Sequence, residues 1–176
     1  MLKRYTIKTE RRGLYNITSY VRQAVTESGV QEGIAVIFCP HTTAAITINE
    51  NADPDVKTDL LYALEETFPN RPQFRHAEGN SDAHMKSSCV GASETVIIDD
   101  NELLLGTWQG IYFAEFDGPR TLRKVDSVSF LFGLPIRFLI ALAAGSPSKS
   151  TFASCSVIGI SMPLLFESSH AFLVQT

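Results

Sequence analysis

The sequence predicts an α+β fold, a mainly antiparallel, sandwich-like sheet carrying two or three helices. Three observations predict it. Several short runs alternate bulky and polar residues, or are continuously apolar and β-branched, as strands are. A few segments carry helical spacing with recognisable ends. The two kinds follow one another without the regular strand–helix rhythm of a parallel sheet. No internal repeat, Gly-rich phosphate loop or nucleophile elbow points elsewhere.

The elements follow in order. "LKRYTIKT" alternates and reads as the first strand. "NITSYVRQAVTESGV" reads as a short helix with Tyr20, Val21, Ala24 and Val25 as its apolar stripe and Gly29 as its stop. "IAVIFC" is continuously apolar, which predicts a strand covered on both faces, and "AAITIN" resumes the strand after a His-Thr-Thr break. Asp53-Pro54 opens a helix, because the carboxylate caps free N–H groups and proline is tolerated at the first helical position. Val56, Leu60, Leu61, Leu64 and Phe68 then repeat at helical spacing onto a core, and Pro69 ends the run.

"NRPQFRHAEGNSDAHMKSS" is a polar excursion, a loop leading into a short helix over Asp82 to Ser88. "ETVIID", "ELLLG" and "GIYFAEFD" read as strands, the first two joined by a turn at Asp99-Asp100-Asn101. "DGPR" makes the next turn and "TLRKV" begins one more strand.

Composition bounds the function. At 176 residues the chain holds one domain with a proper core, and 44% hydrophobic with 19% charged residues is a globular balance. A net charge of -4 excludes a general nucleic-acid binder but leaves room for a small anion. Cys39, Cys89 and Cys155 are odd in number and unclustered, so reduced thiols in a cytoplasmic protein are expected rather than a disulfide framework. The start "MLKRYTIKTERRG" turns polar at once, unlike a secretory signal.

Chemistry concentrates in two stretches. In "CPHTTAAITINENADPDV", His41, Thr42 and Thr43 supply an imidazole and two hydroxyls where a plain turn needs neither. His41, His76 and His84 are the histidines of the charged part of the chain, and three neutral imidazoles with an open fourth position can hold a catalytic metal. Solvated loop histidines are the plainer alternative. A helix capped by Ser81 or Asp82 would put His84 in its first turn, where the dipole favours a neutral ring, and Lys86 is either a surface lysine or an anion ligand.

In "LLLGTWQGIYFAEFDGPR", Trp108 reads as a core aromatic with Gln109 bonding its local backbone. Glu115 and Asp117 share one face of a strand and need a cation; Arg120 either pairs with one of them or grips phosphate.

These stretches, with Asp59-Leu60, "RHAEGNSDAHMKSS" and the later "RKV", occur in an order that resembles the YjbQ family, also called the secondary thiamine-phosphate synthase family, over about residues 2–125. The resemblance implies a sandwich-like subunit that forms a homotrimer with sites near subunit boundaries. It implies that His41, His76 and His84 line a pocket for a metal ion or an anion. Thr42, Thr43, Asn49, Glu50, Asn51, Lys86, Trp108, Gln109, Glu115, Asp117 and Arg120 match as motif positions.

The activity it implies joins a hydroxymethylpyrimidine diphosphate to a thiazole phosphate with loss of diphosphate. On that basis His41, His84, Glu115 and Arg120 are the candidate catalytic residues. Thr42, Thr43, Asn49, Lys86, Trp108, Gln109 and Arg120 are the candidate substrate ligands. A divalent metal, zinc at the histidines or magnesium with a diphosphate substrate, is the expected cofactor, with no nucleotide. A small phosphorylated metabolite is the expected partner. The rival readings are a non-catalytic trimer that binds such a metabolite and a metal-dependent hydrolase.

Residues 127–176 depart from this pattern. All but two of the 15 Lys/Arg and all but one of the 19 Asp/Glu precede position 127. The chain thus divides into a YjbQ-like domain over 1–126 and an apolar, Ser-rich tail over 127–176. "SVSFLFGLPIRFLIALAA" falls short of the ~20 apolar residues that span a bilayer, and Pro135 and Arg137 interrupt it, so a membrane partner is not expected. An extra apolar hairpin is a second reading. An altered C-terminus from splicing or an imperfect gene model, starting inside a family strand near Leu122, is the preferred one.

Overall fold

The computed structural model describes residues 1–131. Beyond Leu131 the tail, and with it the membrane, hairpin and splicing readings, lies outside the described residues, and no helix among those described is long and apolar enough to cross a membrane. In chain order the elements are β1 (Leu2–Thr9), β2 (Gly13–Asn16), α1 (Thr18–Ser28), β3 (Gly33–Phe38), β4 (Ala44–Glu50), α2 (Pro54–Thr67), α3 (Ser81–Val90), β5 (Ser93–Asp99), β6 (Glu102–Leu103), β7 (Gln109–Glu115) and β8 (Arg120–Leu131).

They form two antiparallel sheets, one of five strands in the order β1-β8-β3-β5-β6 and one of three in the order β2-β7-β4. The α+β expectation holds.

The core lies between the sheets. Ala35, Ile37, Val96, Ile98 and Val125 from the large sheet meet Ala44, Ile46, Ile111 and Phe113 from the small one, and Val21 and Val25 of α1 join them. A second apolar cluster lies on the other face of the small sheet. There Ala45, Ala114 and Phe116 pack with Ala83 of α3, and Leu61 and Leu64 of α2 close over them. The order is therefore large sheet, small sheet, then α2 and α3.

That layering corrects two expectations. The strand covered on both faces along its length is β7, buried from Gly110 onward, because it is the middle strand of the small sheet, which lies between the large sheet and the helices α2 and α3. The run at β3 alternates instead, with Ala35 and Ile37 buried and Phe38 42% exposed. The apolar stripe of α2 has the expected spacing and packs on a core through Leu61 and Leu64, but the described residues cover it only in part.

Local signals set the boundaries. Asp53 accepts from Asp55 N at 2.8 Å and Pro54 follows it, as an N-cap should. Gly29 ends α1 at a φ of 69°, a left-handed conformation that side chains disfavour. Asp100 and Asn101 both have positive φ and join β5 to β6. The cap of α3 is Asn80, through its backbone, rather than Ser81 or Asp82. The strand expected at "ELLLG" shortens to Glu102–Leu103, because Gln109 Oε1 takes the Gly106 amide at 2.8 Å and folds the rest into a turn. β8 runs to Leu131, so the change in composition at 126–127 falls inside a paired strand.

Candidate functional site

β8 is central in its sheet, and its inward positions alternate as Arg123, Val125 and Ser127, all buried. An arginine in phase with core residues needs a buried partner. It finds Glu115, the last residue of β7, which is fully buried: Nε donates to Oε2 and Nη2 to Oε1, both at 2.5 Å. Thr9 Oγ1 donates to Oε2 at 3.0 Å and the Asp117 amide to Oε1 at 2.9 Å, so both carboxylate oxygens are fully engaged. Arg123 Nη2 also reaches Thr43 Oγ1 at 3.0 Å. This network joins the two sheets at the point where the His-Thr-Thr break lies.

His41 is fixed against the same strand. The β3–β8 ladder ends at Phe38–Asp126. Two residues back along β8, the Lys124 amide donates to His41 Nε2 at 2.8 Å, so an imidazole takes the place of a strand carbonyl. Burial, then the Arg123 charge, lowers the His41 pKa below its usual 6.5, against opposing pulls from Glu115 and Asp126. The ring is therefore neutral near pH 7, and with Nε2 accepting, its proton sits on Nδ1. Beneath it the Cys39 thiol, whose Sγ donates to the His41 carbonyl at 3.8 Å, is pushed up by burial to about 11 and is not a nucleophile.

His76 and His84 form a second place. Their rings meet edge to face with centroids 5.1 Å apart. They line an open cavity of about 570 Å³ together with Phe68, Met85 and Cys89. His41 does not line it. No cluster of three metal-ligating His, Cys, Asp or Glu side chains occurs among the described residues.

The other anticipated residues disperse. Arg120 pairs with Asp117, whose Oδ2 also accepts from Asn80 at 2.9 Å, so the carboxylates of "EFD" have separate arginines. Trp108 is 64% exposed rather than core, although Gln109 does bond its local backbone. Trp108, Gln109 and Asn49 stand at the opposite end of the β4–β7 ladder from Glu115, about 20 Å away at strand rise.

Lys86 is no surface lysine. It is fully buried, with Nζ 2.9 Å from Asp82 and 2.8 Å from Glu65, and Arg12 lies 3.0 Å from both carboxylates. Its ammonium is spent on holding α2 to α3, and Arg12 ties the segment before β2 to the same carboxylates. Of the hydroxyls, Thr43 belongs to the Arg123 network, while Thr42 is exposed. Arg123 itself was missed by the sequence reading. Its inward phase with Val125 and Ser127 was the signal that could have found it.

Fold and site together define an α+β two-sheet protein with a histidine fixed by a backbone amide of the strand that carries a buried Arg–Glu pair, and a separate two-histidine cavity. The model of the UPF0047 protein YjbQ-like family matches residues 3–130, and the chain belongs to that family. It is similar to a UPF0047 protein of Methanocaldococcus jannaschii, 61% identical over 121 residues, 68% of this chain and 88% of that protein. It is also similar to the UPF0047 protein YugU of Bacillus subtilis, 58% identical over 69% of this chain and 93% of that one. Among solved structures, a YjbQ/UPF0047 family protein of Clostridium acetobutylicum is 54% identical with a TM-score of 0.71, covering 73% of this chain and 99% of that one. A YbjQ-like protein of Sulfolobus solfataricus gives 0.70 at 32% identity, over 72% of this chain and 94% of that one.

Proposed function

We propose that this protein is a cytoplasmic enzyme that binds a phosphorylated small molecule at His41. We further propose that it joins two such molecules with loss of diphosphate, as the resemblance to secondary thiamine-phosphate synthases implies. The observation that carries the reading is the Lys124 amide on His41 Nε2. It leaves the ring with an N–H donor, which suits a phosphate oxygen and does not suit a metal ion, whose ligand nitrogen must offer a lone pair. His41 thus fits an anion better than a three-imidazole zinc, and only His76 and His84 remain as a pair able to contact a cation. A transfer that expels diphosphate needs oriented donors and positive charge on leaving oxygens, and little covalent help.

The second part of the reading is that copies of the chain, as a homotrimer, bring His41 of one against the His76–His84 cavity of another. The apolar stripe of α2, which the described residues bury only in part, supports it. The test has three arms. Light scattering should give a mass of three chains. His41→Ala and His84→Ala should each abolish product from the two thiamine precursors, and mixed, refolded trimers of the two variants should recover part of it. Saturable binding of inorganic phosphate without product would make the protein a binder, and product from a single precursor would make it a hydrolase. Turnover unchanged in both variants would end the reading.

A further inference from the structure

The Glu115–Arg123 pair has a feature that a purely structural ion pair lacks. Glu115 is fully saturated, receiving two donors from Arg123, one from Thr9 and one from the Asp117 amide. Arg123 is not. Of its guanidinium nitrogens, Nε and Nη2 are engaged, while Nη1 donates to no described residue and is not among the enclosed side-chain atoms that lack a partner, so it is the edge of this otherwise buried arginine that solvent can reach. A guanidinium held rigid on two sides and open on the third offers its free edge to an anion that arrives from solvent.

The uncommitted edge has a neighbour. Lys124, the next residue along β8, holds the His41 ring through its amide, and Thr43, two residues after His41, is bound by Arg123 Nη2. His41 and the guanidinium are thus tied to each other from both sides, close enough for the arginine charge to bear on the imidazole. We propose that Arg123 is an anion-binding residue of the His41 site, its Nη1 and the His41 Nδ1–H together gripping one phosphoryl oxyanion.

The inference rests on the oxyanion reading of His41 and names the group that supplies the charge there. Thr43 Oγ1 accepts from Arg123 and so keeps its own hydrogen to donate to the same anion. The facing charges agree in sign: Lys124 adds a cation, Glu115 is neutralised by Arg123, and Asp126 has Arg4 at 3.5 Å. Glu115 and Thr43 fix the guanidinium plane before the ligand arrives, which lowers the ordering cost of binding.

The experiment uses the full chain labelled with nitrogen-15 at arginine and histidine. Inorganic phosphate and methyl phosphate are titrated separately while the His41 ring and Arg123 side-chain signals are followed by NMR. Saturable, parallel shifts of His41 Nδ1 and Arg123 Nη1 are expected, and the tighter of the two probes identifies free phosphate or an ester as the source. If His41 responds and Arg123 does not, this inference is overturned while the reading of His41 stands. If neither responds, both fall.

Arg123→Lys, which keeps a cation but loses the fork, should weaken phosphate binding by about tenfold or more, in line with the loss of a charge-assisted hydrogen bond. A folded Arg123→Lys protein with unchanged phosphate affinity would also overturn the proposal. Should that variant not fold, the titration of the unaltered chain decides alone.

Discussion

His41 has one nitrogen committed to the backbone of β8 and one left for chemistry, and this division can be measured through pH. Its pKa is depressed on folding, so the unfolded chain takes up a proton first as pH falls. The neutral ring's contribution is whole above the ordinary value near 6.5 and is lost as pH falls from there through the folded value. Urea midpoints should therefore drop between pH 7.5 and 5.5, and His41→Gln should flatten that part of the profile. Breaking the Glu115–Arg123 pair strands a buried charge. Glu115→Ala should cost about 3–5 kcal/mol by urea unfolding.

At this scale the sequence was half legible. His41 and Thr43 stood out because they carry more hydrogen-bonding capacity than a turn requires. Arg123 did not, because the nearer arginine in the "DGPR" turn offered itself as the partner of Glu115. Only the three-dimensional phase of β8 separates the exposed Arg120 from the buried Arg123.

The helices show what periodicity conveys and what it omits. The spacing of α2 and its Asp53-Pro54 start were readable, and Asp53→Ala should cost about 1 kcal/mol in thermal or urea unfolding. Unreadable was the four-charge cluster that holds α2 to α3, since Arg12, Glu65, Asp82 and Lys86 come from three distant segments. Burial alone would raise the carboxyl pKa values of Glu65 and Asp82, but hydrogen bonding from Lys86 and the charge of Arg12 hold both below their usual 4.5 and 3.8. Their stabilisation is present above those values and disappears as pH falls through the folded ones, a window well below that of His41. Lys86→Met should remove much of that acid sensitivity while lowering stability at neutral pH by about 3 kcal/mol, measured by denaturant titrations at pH 7 and pH 3.5.

For the whole molecule, β8 is the element on which the large sheet depends. It pairs with β1 on one side and β3 on the other, and residues 127–131 face Gly33–Ile37. A chain ended after Asp126 should lose its cooperative thermal transition, whereas one ended after Leu131 should keep it, as circular dichroism melts would show. The sequence placed a boundary at 126 because charged residues stop there. Charge is a poor guide inside a sheet, where an inward position such as Ser127, 1% exposed, needs only to be small. The large sheet was legible because alternation survives in β1, β3 and β5. The double cover of β7 was not, because which strand becomes central is decided by layers rather than by local composition.

The imidazole standing in for a carbonyl at Lys124 makes one rung of the ladder answerable to whatever occupies the site. A guest that steadies the ring also steadies that rung, so the Lys124 amide should trade its hydrogen for deuterium more slowly as the site fills. A single backbone proton, needing no label and no turnover, would then count how many molecules in solution are loaded.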